Sequence, residues 1–371
     1  MSDTQIDNLE MGYMFEELIR RFSEQSNETA GEHFTPREVI ELMVEVLLDP
    51  DMDEISTTDG KVITILDPAC GTGGMLSVAQ NKMQALNATT RVIPFGQELN
   101  PETYATCCSD MILKGNTNSR IVLGNSFNED GFQGQTFDYM LSNPPFGVDW
   151  KKVEKFIKDE AKNKGYSGRF GAGLPRISDG SFLFLQHLIS KMNAPENGGS
   201  RIGIVFNGSP MFSGDAGSGE SEIRRWIIEN DLLEAIIGLP DQLFYNTGIT
   251  TYIWILTNRK ENRRKGKVRL INGAGFYEKM RKGLGNKRNM VSSENRAEIV
   301  RLYSTYEPDE NYMDLDNDDF GYRKIVVESP LLNEDGTPVT DRKGSKKADV
   351  SLRDYEIVPL KEDVHEYFRR E

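Results

Sequence analysis

The chain predicts an α/β fold: a doubly wound, mostly parallel sheet of seven strands with one antiparallel strand. Two observations predict it. Four strand-then-helix patterns follow one another from residue 61 onward, and serial units of that kind build a parallel sheet. Later, the apolar runs 232–237 and 250–256 succeed each other with no helix between them, the mark of an antiparallel pair closing such a sheet. A short helical segment is expected ahead of this core (residues 1–30). The main domain is expected over residues 31–258, and a C-terminal extension over residues 259–371.

The elements are justified in order. Residues 13–24 place Phe15, Leu18, Ile19 and Phe22 on one helical face, a packing helix. After a polar linker comes Gly31-Glu32-His33-Phe34-Thr35-Pro36-Arg37-Glu38. Thr35 as N-cap, Pro36 at the first helical position and Glu38 three residues after Thr35 predict a capping box. Such a helix start suits a carboxylate, although a well-capped helix alone would also explain it. His33 by itself reads as a satisfied polar residue. The buried-strand pattern 61–66 runs into Asp67-Pro68-Ala69-Cys70-Gly71-Thr72-Gly73-Gly74, a strand, a glycine-rich turn and then a helix. The turn lacks the Lys-Ser/Thr ending of a phosphate-gripping loop and the spaced glycines of the dinucleotide fingerprint. Asp67 at the strand end could accept from an ammonium group, which suits an amino-acid-bearing cofactor better than a pyrophosphate.

A second strand, 92–96, leads to Glu98, 31 residues after Asp67 and placed to take both hydroxyls of a ribose. The third, 120–123, leads to Asn125, which could accept from an adenine amino group. The fourth, 137–142, leads to Asn143-Pro144-Pro145-Phe146. Parallel sheets bind ligands at the carboxyl ends of their strands, and Asp67, Glu98, Asn125 and Asn143 all fall on that edge.

The Asn143 turn carries the chemistry. The exocyclic amine of a nucleobase is a poor nucleophile because its lone pair is delocalised into the ring. A carboxamide oxygen (Asn143) and a neighbouring backbone carbonyl (Pro144) can both accept from that NH2, pulling the nitrogen toward tetrahedral geometry. Pro145 stiffens the turn. Phe146 offers a flat face to an extruded base. An isolated Asn-Pro-Pro is also an ordinary strand-to-turn junction.

The long connection 147–180 carries Lys151, Lys152, Lys155, Lys158, Lys162, Lys164, Arg169 and Arg176. It reads equally as a track for a phosphate backbone or as a solvated helix and loop. A helix over 181–191, a strand over 202–206 and a helix over 222–229 follow. Phe244 and Tyr245 read as core in preference to substrate-facing. Arg259, Lys260, Arg263, Arg264, Lys265 and Lys267 form a basic cluster that could meet DNA or an acidic protein face, or be solvated. Beyond it, residues 326–332 and 338–340 around Asn333-Glu334-Asp335-Gly336 look like a hairpin.

The totals narrow the function. The 371 residues, 37% of them hydrophobic, can bury a sizeable core. The net charge of −14 argues against tight unaided binding to nucleic acid; were DNA the substrate, a partner would supply much of the grip. Cys70, Cys107 and Cys108 show neither zinc spacing nor a disulfide framework, so no metal is expected and a reducing, cytoplasmic compartment is. The first residues lack a signal-peptide pattern, and no apolar run approaches the roughly 20 residues of a membrane span.

With these stretches in view, the chain resembles the modification subunits of type I restriction–modification systems, adenine-N6 DNA methyltransferases that use S-adenosylmethionine. The resemblance rests on residues 30–37, 67–74, 96–100 and 143–147, in the family's order, and continues through Asp241-Gln242-Leu243-Phe244. It implies that Glu32, His33, Phe34, Thr35, Pro36 and Arg37, with Ala69, Gly71, Thr72, Gly73 and Gly74, line the methionine end of the cofactor. Asp67 would orient its ammonium, Glu98 hold the ribose and Asn125 the adenine. Asn143, Pro144, Pro145 and Phe146 would hold the target base. Asn125 stands where family members often carry Asp; the family usually has a helical N-terminal region, and with only about a dozen residues before Tyr13 either altered partner docking or a shortened chain is expected. The implied partners are duplex DNA with a flipped adenine, a DNA specificity subunit and, in the larger assembly, a restriction subunit, with two copies of this chain per complex. A methyltransferase of another planar amine (a protein glutamine or an RNA base) and a non-catalytic cofactor-holding scaffold are the rival readings.

Overall fold

The computed structural model describes residues 35–116, 118–245 and 247–370. The expected helix over 13–24, and Glu32, His33 and Phe34, lie outside the described residues.

The strand runs read in the sequence become the centre of one sheet. Strands β1 (Val62–Asp67), β2 (Arg91–Glu98), β3 (Arg120–Leu123), β4 (Tyr139–Ser142) and β5 (Arg201–Phe206) are parallel, in the spatial order β3-β2-β1-β4-β5. Beyond β5 lie β7 (Tyr252–Thr257) and then β6 (Leu233–Gly238), with β7 antiparallel to both of its neighbours. The order reverses between β1 and β4, which opens a crevice at the carboxyl ends of those two strands. The sheet is larger than the seven strands expected. Strands β8 (Lys267–Asn272) and β11 (Tyr312–Asp316) extend it beyond β6 to nine. Lys267 and Arg269 hide β8 from an apolar-run reading. Arg269 is tolerated in the interior because Asp314 takes its guanidinium at 2.7 Å and the carbonyls of Leu302, Tyr303 and Thr305 accept its remaining N–H groups.

Every residue of β4 and β5 is buried, as expected of strands covered on both faces. The Arg37–Leu48 helix buries Val39, Ile40, Leu42, Met43, Val46 and Leu47 against the Gly74–Leu86 helix, the Ser293–Ser304 helix and β5. Gly203 in β5 permits this approach. A Cβ there would stand 3.0 Å from Leu47 Cδ1 and 3.3 Å from Met43 Cε. Among the described residues, no helix is long and apolar enough to cross a membrane.

The chain divides into two compact units after Asp314. The composition shift at Thr257, from which the sequence placed a boundary at 258/259, is not where they part. β8, the β9 (Glu278–Leu284) and β10 (Lys287–Met290) pair, and the Ser293–Ser304 helix belong to the first unit. In the second, β12 (Tyr322–Val327) pairs antiparallel with β13 (Asp354–Pro359). The expected turn at 333–336 forms, with Gly336 at φ +80° and a bridge between Leu332 and Pro338. Val326, read as part of that hairpin, pairs instead with Tyr355.

A buried ionic knot joins the elements around the Arg37–Leu48 helix. Arg201 Nη2 donates to Glu234 Oε2 at 2.6 Å, Tyr303 Oη donates to the same oxygen at 2.5 Å, and Arg201 Nε donates to the Leu47 carbonyl at 2.9 Å. Burial would raise the Glu234 pKa, but the charges of Arg201 and Arg264 outweigh it and hold the carboxyl below its usual range. Glu234→Ala leaves the Arg201 guanidinium buried without its counter-charge and is expected to destabilise the fold by about 3–5 kcal/mol. Urea unfolding followed by circular dichroism checks this. A loss under about 1 kcal/mol, the value of an exposed pair, would contradict it.

Candidate functional site

Parallel pairing decides which turns meet. Ile65 and Leu66 of β1 stand opposite Tyr139 and Met140 of β4, so the glycine-rich turn after Asp67 and the Asn143 turn leave the sheet side by side. Ser142 Oγ donates to Asp67 Oδ1 at 3.0 Å, and the Ala69 amide donates to the same oxygen at 3.0 Å. Asp67 is only 2% exposed. Burial is the main reason its pKa is pushed up to about 7, and the nearby charge of Glu98 adds to the rise. The hydrogen bonds from Ala69 and Ser142 oppose it.

The turn itself is shaped by its glycines. Gly73 has φ +82°, and a Cβ there would come within 2.8 Å of Cys107 Sγ and 2.6 Å of Met111 Cε on the Pro101–Leu113 helix. Gly71 has φ +54° and open space where a Cβ would sit, so a ligand can approach the backbone there. Thr72 and Gly74 complete the turn into the Gly74–Leu86 helix. At the end of β2, Glu98 receives the amides of Gly71 (2.9 Å) and Asn100 (2.8 Å), which fix its carboxylate next to the turn. The Glu98 carbonyl in turn accepts the Gly124 amide at 2.9 Å and brings the end of β3 alongside. Asn125 Oδ1 already accepts the Phe127 amide at 2.9 Å, which leaves its second lone pair for any ligand.

Thr35 is placed differently from expectation. Pro36, at φ −58° and ψ 139°, is the N-cap of the Arg37–Leu48 helix, and no side chain caps it. The Pro36 carbonyl accepts the amides of Val39 and Ile40. The capping box is therefore absent. The buried ammonium of Lys287 claims the Glu38 carboxylate and also donates to the carbonyls of Leu243 and Asn289. The Thr35 hydroxyl goes to the Asn143 turn, where Asn143 Nδ2 donates to Thr35 Oγ1 at 2.8 Å. Pro144 is buried, Pro145 is half-buried, and the half-buried Phe146 packs against the main core. Arg37 pairs with Glu41 at 3.2 Å. Thus Asp67, Ala69, the 71–74 turn, Glu98, Asn125, Thr35 and the Asn143 turn are assembled at one edge of the sheet.

A family model described as N-6 DNA Methylase matches residues 6–326. The chain belongs to that family. Among relatives, the type I restriction enzyme MjaIX methylase subunit of Methanocaldococcus jannaschii is 28% identical over 85% of this chain and 52% of its own length. The HindI methylase subunit of Haemophilus influenzae is 30% identical over 70% of this chain and 53% of its own length. The crystal structure of a type I restriction–modification methyltransferase subunit from Streptococcus thermophilus superposes with a TM-score of 0.69 at 27% identity, covering 85% of this chain and 62% of that one. The chain spans about half the length of the curated relatives it matches.

In this chain, the motifs alone missed two supporting residues. Ser142 is a buried hydroxyl in an apolar strand, a signal in itself. Gln97 donates to the Glu129 carbonyl at 2.8 Å and accepts the Gly131 amide at 3.2 Å, holding the loop after Asn125. The basic segments divide. Arg169 is consumed inside by Glu160 and by the carbonyls of Ser126 and Phe127. Lys151, Lys152, Lys155, Lys162 and Lys164 are exposed. In the 259–267 cluster, Arg259 is held by Asp51, Lys260 by Asp231 and Arg264 by the Tyr303 carbonyl, so half of it is not available to DNA. Phe244 is core, as expected.

Asp67 also links the site to pH. Its folded pKa lies above the usual 3.8, so the folded state binds the extra proton and the stability it costs grows as pH rises from about 4 to about 7. Asp67→Asn keeps the acceptor oxygen and removes the charge. Its stability advantage over the natural chain is expected to increase by on the order of 2 kcal/mol between pH 5 and pH 8. Urea titrations of both proteins at the two pH values measure it, and a constant difference would contradict the assignment.

Proposed function

We propose that this chain is the catalytic part of an S-adenosylmethionine-dependent DNA methyltransferase, which methylates adenine N6 in duplex DNA as the modification subunit of a type I restriction–modification complex. The observation that carries the reading is the Ser142–Asp67 hydrogen bond, which seats acceptors for a planar amine beside a turn suited to the cofactor. The residues fit that cofactor. The Glu98 carboxylate is oriented by two amides next to the open backbone at Gly71, and the buried Asp67 carboxyl suits an ammonium partner.

When bound, S-adenosylmethionine supplies a methyl group on a sulfonium, which leaves as a neutral thioether. The chain's own part is orientation. Asn143 Oδ1 and the Pro144 carbonyl accept from the amino group of a flipped base and weaken its conjugation with the ring. Phe146 stacks on the base, and Pro145 holds the spacing of the two acceptors. Glu32, His33, Phe34, Thr35, Pro36, Arg37, Ala69, Gly71, Thr72, Gly73 and Gly74 line the cofactor, Thr35 through its backbone because its hydroxyl is engaged by Asn143; Glu98 takes the ribose, and Asn125 takes the adenine. The acidic balance of the chain supports a DNA specificity subunit as the source of much of the grip on DNA, with a restriction subunit in the larger assembly and two copies of this chain. The C-terminal extension serves docking, and a cytoplasmic setting agrees with the free Cys70, Cys107 and Cys108.

Asn143→Ala is expected to lower methyl transfer by at least about 10³-fold while cofactor affinity changes by less than about threefold. The assay uses labelled S-adenosylmethionine and unmethylated plasmid DNA with co-purified partners, followed by nucleoside analysis for N6-methyladenine. Near-normal turnover by the variant would sink the role of Asn143. Label appearing in protein or RNA and not in DNA would favour another planar amine.

A further inference from the structure

The Phe-Thr-Pro stretch stands apart in sequence from the Asn143 turn, separated from it by four strands, yet Thr35 Oγ1 accepts from Asn143 Nδ2 at 2.8 Å. We propose that Thr35 is a positioning residue for the base-amine acceptor: its hydroxyl fixes which end of the Asn143 carboxamide faces the substrate. The inference rests on the function proposed above.

A carboxamide has two ends of nearly equal size and opposite hydrogen-bonding character. Only the oxygen end can accept from a nucleobase NH2. The nitrogen end would set donor against donor. A rotation of about 180° about the last side-chain bond exchanges them, and that torsion is broad and roughly two-fold. Adjacent Pro144 and Pro145 restrain the backbone but exert no preference between the two amide orientations. A partner that engages the nitrogen end supplies the preference, and the Thr35 oxygen does so.

Thr35 is itself firmly seated. Pro36 follows it with a restricted φ, and the Pro36 carbonyl accepts two amides of the next helix turn. Glu38, one position into that helix from Arg37, is bound by the buried Lys287 ammonium, whose other contacts are backbone carbonyls of Leu243 and Asn289. The start of this helix is thereby pinned to the interior from two sides, and Thr35 is carried on it.

Three substitutions test the proposal. Thr35→Val removes the acceptor and keeps the shape, Thr35→Ser keeps the acceptor, and Asn143→Ala is the reference for complete loss. The full chain with its co-purified partners is assayed with labelled S-adenosylmethionine and plasmid DNA. Thr35→Val is expected to lower kcat by about 10²-fold with KM for DNA and cofactor affinity changed less than about threefold, and Thr35→Ser to recover most of the rate. In parallel, the chain labelled with 15N-asparagine reports side-chain amide exchange at Asn143, assigned from the signal absent in Asn143→Ala. That exchange is expected to be slow in the natural protein and in Thr35→Ser, and fast in Thr35→Val. A Thr35→Val protein that keeps its kcat, one that loses cofactor affinity with kcat unchanged, or a Thr35→Ser as impaired as Thr35→Val would overturn the proposal. If the natural protein transfers no methyl to DNA, the functional reading fails. The amide-exchange comparison then still decides whether Thr35 holds Asn143.

Discussion

The site depends on one pairing, the parallel contact between β1 and β4. Strands that run the same way deliver their carboxyl ends to the same edge, so the turns that follow them share a crevice. The Ser142 hydroxyl converts that general consequence into a specific one. It donates to the Asp67 carboxyl, so the last residues of the two strands, one before each turn, are bonded to each other. Asp67 is buried deeply enough that its charge is disfavoured, and a buried carboxyl of this kind gains most from a positively charged neighbour. The bond sets the relative position of the two turns, and burial sets the electrostatic character of the space between them.

The central strands were legible because they are covered on both faces. A run such as Ile202 to Phe206 has no solvent side and reads as uninterrupted apolar sequence. The glycine-rich turn was legible because backbone geometry demands it at Gly73, where positive φ and the nearby Cys107 and Met111 leave no room for a side chain. The features that escaped share a different property: their meaning lies in a partner distant along the chain. β8 reads as a charged segment until Asp314 and the end of the Ser293–Ser304 helix take up Arg269. Glu38 has the spacing of a capping residue, but Lys287 outcompetes the helix terminus for it. A capping bond stabilises by about 1 kcal/mol, whereas a buried ammonium without its counter-charge costs several times that, so the non-local contact prevails.

The release of Thr35 from capping follows from the same competition. With Glu38 drawn to Lys287 and Pro36 serving as N-cap, the Thr35 hydroxyl is free of the helix terminus and is directed to Asn143. The local signal for a capping box was genuine in composition. Tertiary packing reassigned both of its polar members, one to a structural ion pair and one to the candidate site.

Charge distribution extends this argument from the site to its surroundings. Arg169, Lys191, Arg201, Arg259, Lys260, Arg269 and Lys287 are each matched by a carboxylate in the interior or partly buried: Glu160, Asp130, Glu234, Asp51, Asp231, Asp314 and Glu38. Each such pair is neutral, so these cations offset none of the net charge of −14. Much of the basic cluster that looked available for phosphate contacts is spent on holding elements together. Cations remain exposed immediately after the Asn143 turn, at Lys151, Lys152, Lys155, Lys162 and Lys164. Affinity for a duplex grows with the number of phosphates neutralised, and a short basic stretch on an acidic body neutralises few. The arrangement favours local guidance of a strand toward the Asn143 turn over autonomous capture of DNA. On the functional reading proposed here, that is the division of labour expected of a catalytic subunit whose partner selects the site.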